Sequence, residues 1–317
     1  MVERARIVML GTGDFALPAF EMLAERGHDM AALVTQPDRP QGRKQEITPA
    51  RIKLAAEKRG IRVFQPENVN DPASLAVIGS LAPDLLITAA YGQILSAEAL
   101  ALARLGGLNL HGSVLPAYRG AAPVARAIQN GETTTGVTVI QMTPRIDAGG
   151  ILAIGRLAID PNETAGELEA RLAVLGAPLL AEVVPSVLNG TAQIIPQESA
   201  LVTRAPKLRK EESAIDWSRP AVAVHNLVRA MQPWPGTSTL LIRGSAGPSR
   251  LMVHQTAVTE GRGEPGLVLE ADKDRITVAC GEGAVRLLVV QSPGGRALTA
   301  AEFLSGRKII RGDQLKS

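Results

Sequence analysis

Two polar residues, Asn109 and His111, stand two positions apart at the end of a short apolar run. Residues i and i+2 of an extended strand project to the same face, so an amide and an imidazole are expected to face one spot. A carboxylate, Asp147, follows in a turn flanked by proline and glycine. Such a trio suits the attack of an amine on an acyl group, with donors for a developing oxyanion and a base or orienter for the histidine.

The loop after His111 supports the hypothesis of a functional site. Its support matters because each of the three residues alone is more often structural. Gly112, Pro116 and Gly120 interrupt regular structure and leave a loop that exposes backbone groups. Such a loop can line a pocket. The pattern therefore predicts a binding site beside the amide and the imidazole.

Other kinds of site are disfavoured by the residues present. The single cysteine, Cys280, allows neither an intramolecular disulfide nor a multi-thiolate metal site within the chain. The four histidines include no pair at the i, i+4 spacing of a zinc-binding helix, and no Gly-x-Ser-x-Gly elbow occurs. We therefore expect no metal and no serine nucleophile.

Length and hydropathy predict a soluble protein. The 317 residues suit two domains, and 45% hydrophobic residues are ample for a core in each. Apolar runs such as residues 85–90 are far shorter than the roughly 20 residues that span a bilayer. The first residues also lack the apolar core of a signal peptide. We expect a cytoplasmic protein without membrane association; nothing in the sequence fixes the oligomeric state, and a monomer is the simplest expectation.

The distribution of charge is more informative than the net charge of +3. Eight basic residues against three acidic ones lie between Asp38 and Arg62. A second basic cluster consists of Arg204, Lys207, Arg209 and Lys210. Clusters of this kind suit a polyanionic partner, although a solvated face is an alternative for any one of them.

Apolar runs that alternate with helical spacing predict an α/β fold. Residues 6–10, 30–35 and 84–88 have the pattern of buried strands separated by helices, which implies a Rossmann-like, mostly parallel sheet. Residues 136–142 and 151–159 form two consecutive predicted strands with no helix between them. The sheet is therefore expected to change to antiparallel pairing there.

The predicted domains are residues 1–190 for the sheet domain, 191–206 for a linker and 207–317 for a second domain. Several short strands after residue 239, separated by turn residues, predict a small OB-like β-barrel. Barrels of this type frequently bind extended nucleic acid, but that inference is an analogy at the level of the fold.

Two helix starts are also predicted from local signals. Thr48 is expected to be an N-cap, with Pro49 at the first helical position. Residues 216–231 are predicted to form one helix.

A glycine-rich turn follows the first predicted strand. Residues 11–16, Gly-Thr-Gly-Asp-Phe-Ala, match the dinucleotide fingerprint in its Gly/Ala form. An acidic ribose ligand is expected at the end of the second strand, where Thr35 lies instead, and Asp14 would repel a pyrophosphate. Tight-turn chemistry, with Asp14 as a cap, is the favoured explanation.

Several motifs together resemble the folate-dependent formyltransferases, and in particular the members that act on methionyl-tRNA. The resemblance covers essentially the whole chain. It is carried by residues 109–116 (Asn-Leu-His-Gly-Ser-Val-Leu-Pro), 118–123 (Tyr-Arg-Gly-Ala-Ala-Pro), 147–149 (Asp-Ala-Gly), 216–218 (Asp-Trp-Ser), 233–236 (Pro-Trp-Pro-Gly), 36–40 (Gln-Pro-Asp-Arg-Pro) and 42–44 (Gly-Arg-Lys).

The resemblance implies specific roles for the residues of the site. Asn109 and His111 would hydrogen-bond the formyl oxygen, while Asp147 fixes His111 and helps to relay protons. The co-substrate would be 10-formyltetrahydrofolate, and no metal is implied. The folate would lie against Ser113, Val114, Leu115 and Pro116; Val114 stands where leucine is usual in the family.

The acceptor implied by the resemblance is the α-amine of methionine on initiator tRNA. Residues 36–44 correspond to the family's loop that engages the acceptor stem, so Arg43 and Lys44 are expected to contact tRNA. Gln45 and Glu46 follow them, so this loop has fewer lysines than the family leads us to expect. Further tRNA contacts are expected from Lys207, Arg209 and Lys210.

Three rival functions remain open at the level of sequence. A nucleotide-sugar N-formyltransferase shares the catalytic set, but a sugar nucleotide needs no basic loop of this reach. An NADP-dependent oxidoreductase is suggested by residues 11–16, with Arg39 and Arg43 near a 2′-phosphate. A non-catalytic RNA-binding protein is suggested by the barrel and the basic clusters.

Overall fold

The computed structural model describes residues 4–41, 46–243, 246–306 and 309–317. The chain divides into two compact units that are interleaved along the sequence. The first unit contains the chain up to Pro123, Thr134–Leu157 and Glu169–Pro206, and the second contains Val124–Thr133, Ala158–Leu168 and Lys207–Ser317.

Short strands and helices alternate through the first 188 residues, as the alternating apolar pattern predicts. In chain order the described elements are β1 (Arg6–Gly11), α1 (Leu17–Glu25), β2 (Asp29–Val34), β3 (Pro40–Gln41), β4 (Glu46–Ile47), α2 (Arg51–Lys58), β5 (Val63–Phe64), α3 (Pro72–Ser80), β6 (Leu85–Ala89), α4 (Ala97–Leu100), β7 (Gly107–His111), β8 (Arg119–Gly120), α5 (Pro123–Gln129), β9 (Thr134–Gln141), β10 (Ile151–Ala158) and α6 (Ala165–Leu188).

A mostly parallel sheet forms the core of the first unit, in the order β10-β9-β7-β6-β1-β2-β5. The pairs β1–β2, β1–β6, β2–β5 and β6–β7 are parallel, whereas β7–β9 is antiparallel. Strand β6 is buried along its whole length, as a strand covered on both faces requires. The predicted Rossmann-like sheet and its change to antiparallel pairing are both confirmed.

Helix α6 is long and apolar enough to cross a bilayer by length and composition alone. Within the first unit, however, part of its surface packs on the sheet. A Cβ built on Gly176 would lie 2.8 Å from Leu110 Cδ2, and Leu172 and Leu180 are fully buried. The glycine therefore allows close approach of the helix to strand β7, as expected of a core helix.

The elements after Leu188 are mostly short strands with two helices. They are β11 (Arg204–Ala205), α7 (Ala221–Ala230), β12 (Thr237–Arg243), β13 (Ala246–Thr259), β14 (Val268–Asp272), β15 (Arg275–Ala279), β16 (Ala284–Gln291), β17 (Leu298–Thr299), α8 (Ala300–Gly306) and β18 (Gln314–Lys316).

An antiparallel sheet in the order β14-β15-β16-β13-β12-β18 curls around the core of the second unit. Its two ends meet, because Leu267 beside β14 forms a bridge with Gln314 of β18. Apolar side chains such as Trp217, Val253 and Phe303 fill the interior. The predicted OB-like barrel domain is confirmed; its closing strand, β18, escaped prediction because it has only three residues.

Two of the predicted helix starts are wrong. Helix α2 begins at Arg51 rather than after Thr48, because Ala50 keeps an extended backbone at its N-cap (φ −61°, ψ 141°). Helix α7 begins at Ala221 rather than at Asp216. The Asp216 carboxylate instead closes a turn by accepting hydrogen bonds from the Ser218 backbone N–H and hydroxyl, at 3.0 and 2.6 Å.

The second unit draws on two segments from the first half of the chain. Arg126 of α5 forms an ion pair with Glu212 at 2.6 Å. The ring of His225 lies 3.1 Å from the Pro161 carbonyl, and Arg229 donates to the Asp160 carbonyl at 3.4 Å. Residues 191–206, predicted to be a linker, are compact with the first unit. The boundaries 1–190 and 207–317 stay a prediction.

Candidate active site

The parallel pair β6–β7 fixes the orientation of the Asn109 amide. Thr88 of β6 lies directly opposite Asn109 in the register. Its hydroxyl donates to Asn109 Oδ1 at 2.7 Å, so the amide nitrogen points the other way and donates to Asp147 Oδ1 at 3.2 Å. An amide carries two N–H groups, so this arrangement leaves a second donor for an oxyanion.

His111 ends strand β7 and is 94% buried, with 6% of its surface exposed. Its Nε2 lies 2.9 Å from the Tyr118 carbonyl, which can only accept, so Nε2 carries a proton. Nδ1 lies 3.5 Å from Asp147 Oδ2. A proton that arrives at Nδ1 is therefore stabilised by a neighbouring carboxylate, which is the arrangement expected of an oriented base.

Both oxygens of Asp147 are engaged. Oδ1 accepts from Asn109, and Oδ2 accepts from the Gly120 backbone N–H at 2.9 Å. Its backbone is left-handed (φ 49°), which is uncommon for a residue other than glycine. Two residues on, a Cβ on Gly149 would lie 1.6 Å from the Gln141 carbonyl oxygen, so the turn packs directly against strand β9.

The four residues expected to contact a folate alternate in exposure. Ser113 and Leu115 are buried, and their polar groups are used internally. The Ser113 hydroxyl donates to the Ala117 carbonyl at 2.7 Å, and the Leu115 N–H donates to the Thr138 hydroxyl at 3.1 Å. Val114 and Pro116 are half-buried. The two buried residues shape the loop, and the two half-buried ones expose part of their side chains at its surface.

The loop closes on the segment 191–206. Strand β8 pairs in parallel with β11. Gly120, with φ 126°, lies so close to β11 that an added Cβ would be 2.6 Å from the Ala205 carbonyl oxygen. Thr203 accepts from the N–H of Tyr118 at 2.8 Å through its hydroxyl and from the N–H of Arg119 at 2.9 Å through its carbonyl.

Sequence reasoning missed Gln197, which touches both loops of the site. Its amide donates to the Asp147 and Gly149 carbonyls and accepts from the guanidinium of Arg119. No local pattern marks it, because its partners lie 48 to 78 residues away in the chain. The sequence shows only that residues 191–206, predicted to be a linker, lack periodicity.

The glycine-rich turn at residues 11–16 has a structural role. A Cβ on Gly11 would lie 2.6 Å from the Cβ of Ala16, so glycine is needed for the tight turn. The Thr12 hydroxyl accepts from the Gln36 N–H at 3.1 Å. The predicted capping by Asp14 is wrong: the N-cap of this turn is Gly13, with no side-chain bond, and Asp14 faces Arg51 at 3.4 Å.

Asp38, the acidic residue after the second strand, is already engaged. Its carboxylate contacts Lys53 and accepts from the Gln65 amide at 3.0 Å. The hydrogen bond from Lys53 is the main reason that the pKa of Asp38 lies below its usual value. This ion pair makes Asp38 a structural element of the segment rather than a ribose ligand.

The residues expected to contact tRNA fall into two groups. Arg43 and Lys44 lie outside the described residues. Lys207, Arg209 and Lys210 are exposed on the second unit, beside a single helical turn at Lys210–Ser213. The Glu212 carboxylate accepts from the Arg209 N–H at 3.0 Å, so an acidic side chain lies next to these basic residues.

Across the parts of the chain that the structure describes, no group of three or more His, Cys, Asp or Glu side chains is arranged to hold a metal ion. The chemistry of the Asn109 site consists of amide, imidazole, carboxylate and backbone groups. These are the groups of proton transfer and oxyanion stabilisation.

Family models match most of the chain. Residues 5–184 match the model described as formyl transferase, and residues 207–308 match formyl transferase, C-terminal domain. The chain is 41% identical over 308 residues to a methionyl-tRNA formyltransferase from Stutzerimonas stutzeri, covering 97% of this chain and 96% of the relative. It is 41% identical over 313 residues to the enzyme of that name from Myxococcus xanthus, covering 99% and 98%.

A solved structure shares the fold at low identity. An N-formyltransferase from Helicobacter canadensis, in complex with folinic acid and dTDP-3-aminofucose, superposes with a TM-score of 0.67 and 16% identity. The match covers 89% of this chain and 98% of that one.

Proposed function

The chain belongs to the formyl transferase family, and from that premise we propose that it transfers a formyl group to the α-amino group of methionyl-initiator-tRNA in translation initiation. We propose 10-formyltetrahydrofolate as the donor. The observation that carries the proposal is the convergence of Asn109, His111 and Asp147 in a chain similar over its full length to methionyl-tRNA formyltransferases.

The proposed reaction forms one bond and breaks another. The methionine amine attacks the formyl carbon, and the carbonyl electron pair moves onto oxygen. The tetrahedral intermediate then expels N10 of the folate, which takes a proton as the C–N bond breaks, while the amine loses one. Asn109 supports the oxyanion with the amide N–H that is not directed at Asp147.

His111 supports the proton transfers in this proposal. Because Nε2 donates to the Tyr118 carbonyl, Nδ1 is the atom that would accept a proton. The carboxylate of Asp147, 3.5 Å away, would stabilise the resulting imidazolium. This geometry favours the base role over the oxyanion-donor role, which the sequence left open.

Substrate binding is proposed for residues of each unit. Val114 and Pro116 would lie against the folate, with Ser113 and Leu115 holding the loop in shape. Lys207, Arg209 and Lys210 would contact tRNA phosphates, as would Arg43 and Lys44 outside the described residues. We further propose that the protein is a cytoplasmic monomer that does not associate with membranes.

A substrate comparison tests the proposal directly. Purified protein with 10-formyltetrahydrofolate is offered Met-tRNA and, separately, amino-sugar nucleotides. We expect formyl-methionyl-tRNA as the product. Formylation of the sugar nucleotides alone would overturn the proposal.

The role of Asn109 is tested in the same assay. The Asn109→Ala variant should lose about 10²- to 10³-fold in rate, the usual effect of removing one oxyanion donor. Asn189→Ala, at the exposed end of α6, is the control and should keep the wild-type rate. A rate within twofold of wild type for Asn109→Ala would contradict the assignment.

A further inference from the structure

We infer that Gln197 is a positioning residue for the Asp147–His111 pair. The inference rests on the proposed function and assigns a role to a residue in the segment predicted as a linker. Its side chain connects the turn that holds Asp147 to the loop that holds Tyr118 and Gly120. Each of these loops supplies part of the environment of the pair.

The Gln197 amide uses its full hydrogen-bonding capacity. Nε2 donates to the carbonyls of Asp147 at 2.8 Å and Gly149 at 2.7 Å. Oε1 accepts from Arg119 Nε at 3.0 Å and Nη2 at 2.7 Å. Two donors and two lone pairs are all that an amide offers, so the group is saturated.

The partners also fix which way the amide points. The two carbonyls can only accept, and the guanidinium can only donate. A flipped amide would place Oε1 against two carbonyl oxygens and the NH₂ group against a cation. The orientation therefore follows from chemistry, and a carboxylate in place of the amide cannot make the same contacts.

The turn at Asp147 needs such a support. A non-glycine residue with a left-handed backbone is held there only when the surrounding structure determines it. The carboxylate is held on one side by Asn109 and Gly120, and the carbonyls are held on the other side by Gln197. Without Gln197 the Asp147 and Gly149 carbonyls lose these donors, and the turn keeps its local backbone bonds, such as the one from the Ala148 N–H to the Arg145 carbonyl at 3.3 Å.

Gln197 acts on the second loop through Arg119. That residue stands between Tyr118, whose carbonyl accepts from His111, and Gly120, whose N–H donates to Asp147. The Gln197 amide thus connects the backbone of Asp147 with Arg119. The two residues that flank Arg119 hydrogen-bond His111 and Asp147. A change at Gln197 is expected to alter the 3.5 Å separation of Nδ1 and Oδ2.

The segment around Gln197 is itself anchored on both sides. Ile195 exchanges two backbone hydrogen bonds of 2.8 Å with Ile151. Thr203 binds the loop at Tyr118 and Arg119. The amide is therefore presented from a fixed backbone, which a positioning role requires.

The first test measures kcat and KM for formyl transfer. We expect Gln197→Ala to lower kcat for formyl transfer about 10- to 100-fold, with KM for the folate and for Met-tRNA within threefold of wild type. Gln197→Glu should behave in the same way, since it keeps the acceptor for Arg119 but loses both donors. Gln291→Ala, which removes an amide that donates to the Gly295 carbonyl at 2.7 Å in the barrel, is the matched control.

A double variant separates positioning from general structural support. If Gln197 acts through Asp147, then Gln197→Ala should change the rate of Asp147→Asn by less than twofold, because residues that act as a unit are not additive. A further 10-fold loss in the double variant would overturn the inference.

Hydrogen exchange supplies a readout that needs no substrate. In Gln197→Ala the amides of residues 118–120, 143 and 145–150 should exchange at least 10-fold faster than in wild type, with the barrel unchanged. Unchanged exchange in these residues overturns the inference whatever the activity. A wild-type protein that forms no formyl-methionyl-tRNA would instead count against the proposed function, and the exchange result would still decide the role of Gln197.

Discussion

The first unit buries His111 and the second unit buries His225 to almost the same extent, with 6% and 7% of the residue exposed, yet their surroundings differ in kind. His111 faces a carboxylate. His225 faces only neutral groups at its ring nitrogens, the Thr256 hydroxyl at 2.9 Å and the Pro161 carbonyl at 3.1 Å. Burial alone therefore does not distinguish the two histidines; the carboxylate beside His111, which can stabilise an imidazolium, does.

The surroundings of His225 define a neutral ring. The Pro161 carbonyl requires a proton on Nε2, so Nδ1 accepts from the Thr256 hydroxyl. Burial is the main reason that the pKa of His225 lies below its usual value, and the positive charge of Arg229 lowers it further. A neutral imidazole with both ring nitrogens hydrogen-bonded in this way stabilises the fold.

The largest contrast is expected when each histidine is truncated. His111→Ala should lower kcat by about 10²- to 10⁴-fold, the usual contribution of a general acid or base. His225→Ala should leave kcat within about threefold of wild type at a temperature where the variant is folded. Rates measured for both variants in one formyl-transfer assay check this contrast, and equal losses would erase it.

Truncation of His225 is expected to lower the stability of the fold. His225→Ala leaves the Thr256 hydroxyl and the Pro161 carbonyl without their partner, which costs about 1–3 kcal/mol for buried polar groups. Urea unfolding at pH 7.5 measures the loss. A His225→Ala midpoint equal to that of wild type would show that the buried hydrogen bonds are replaced by water.

Acid should weaken the fold through His225. Its pKa is lower in the folded protein than in the unfolded chain, where it is about 6.5. The unfolded state therefore binds the proton more readily, and the stabilisation present above pH 6.5 is lost as the pH falls below it. One such group contributes at most about 1.4 kcal/mol per pH unit.

His28 shares this direction, because burial also lowers its pKa, with Arg26 contributing. Urea midpoints between pH 7.5 and 5.0 should therefore fall in wild type and fall less steeply in His225→Gln and in His28→Gln. An identical pH slope in wild type and His225→Gln would mean that the ring is protonated equally in both states.

The smallest effect is expected at the exposed basic residues. If Lys207 contacts a tRNA phosphate, Lys207→Ala should reduce the slope of log affinity against log salt by about one. Filter binding of Met-tRNA at several salt concentrations measures it. Arg104→Ala, which removes a cation already paired with Asp84 at 2.8 Å, is the control and should leave the slope unchanged.

The cluster around His111 could be predicted from the sequence because its signals are local. Asn109 and His111 share a strand, and Asp147 lies in a turn marked by proline and glycine. The alternation of strands and helices likewise predicted the parallel sheet and its antiparallel edge.

Features that depend on contacts between distant parts of the chain could not be predicted from local signals. Thr48 and Pro49 have the composition of a helix start, but the backbone stays extended through Ala50 and the helix begins at Arg51. Gln197 acts through contacts that join distant parts of the chain, and no periodicity announces them. Propensity describes neighbours in sequence, whereas these outcomes depend on neighbours in space.

The interleaving of the two units has a consequence for how this gene can be divided. A cut between Pro206 and Lys207 falls between two family models, and it looks like a natural place to separate modules. The piece that begins at Lys207 would nevertheless lack Arg126, the partner of Glu212, and Pro161, the partner of His225. Recombination or expression at this point would yield a barrel in which Glu212 and His225 each lose one partner, so the two parts of the chain are expected to be inherited together.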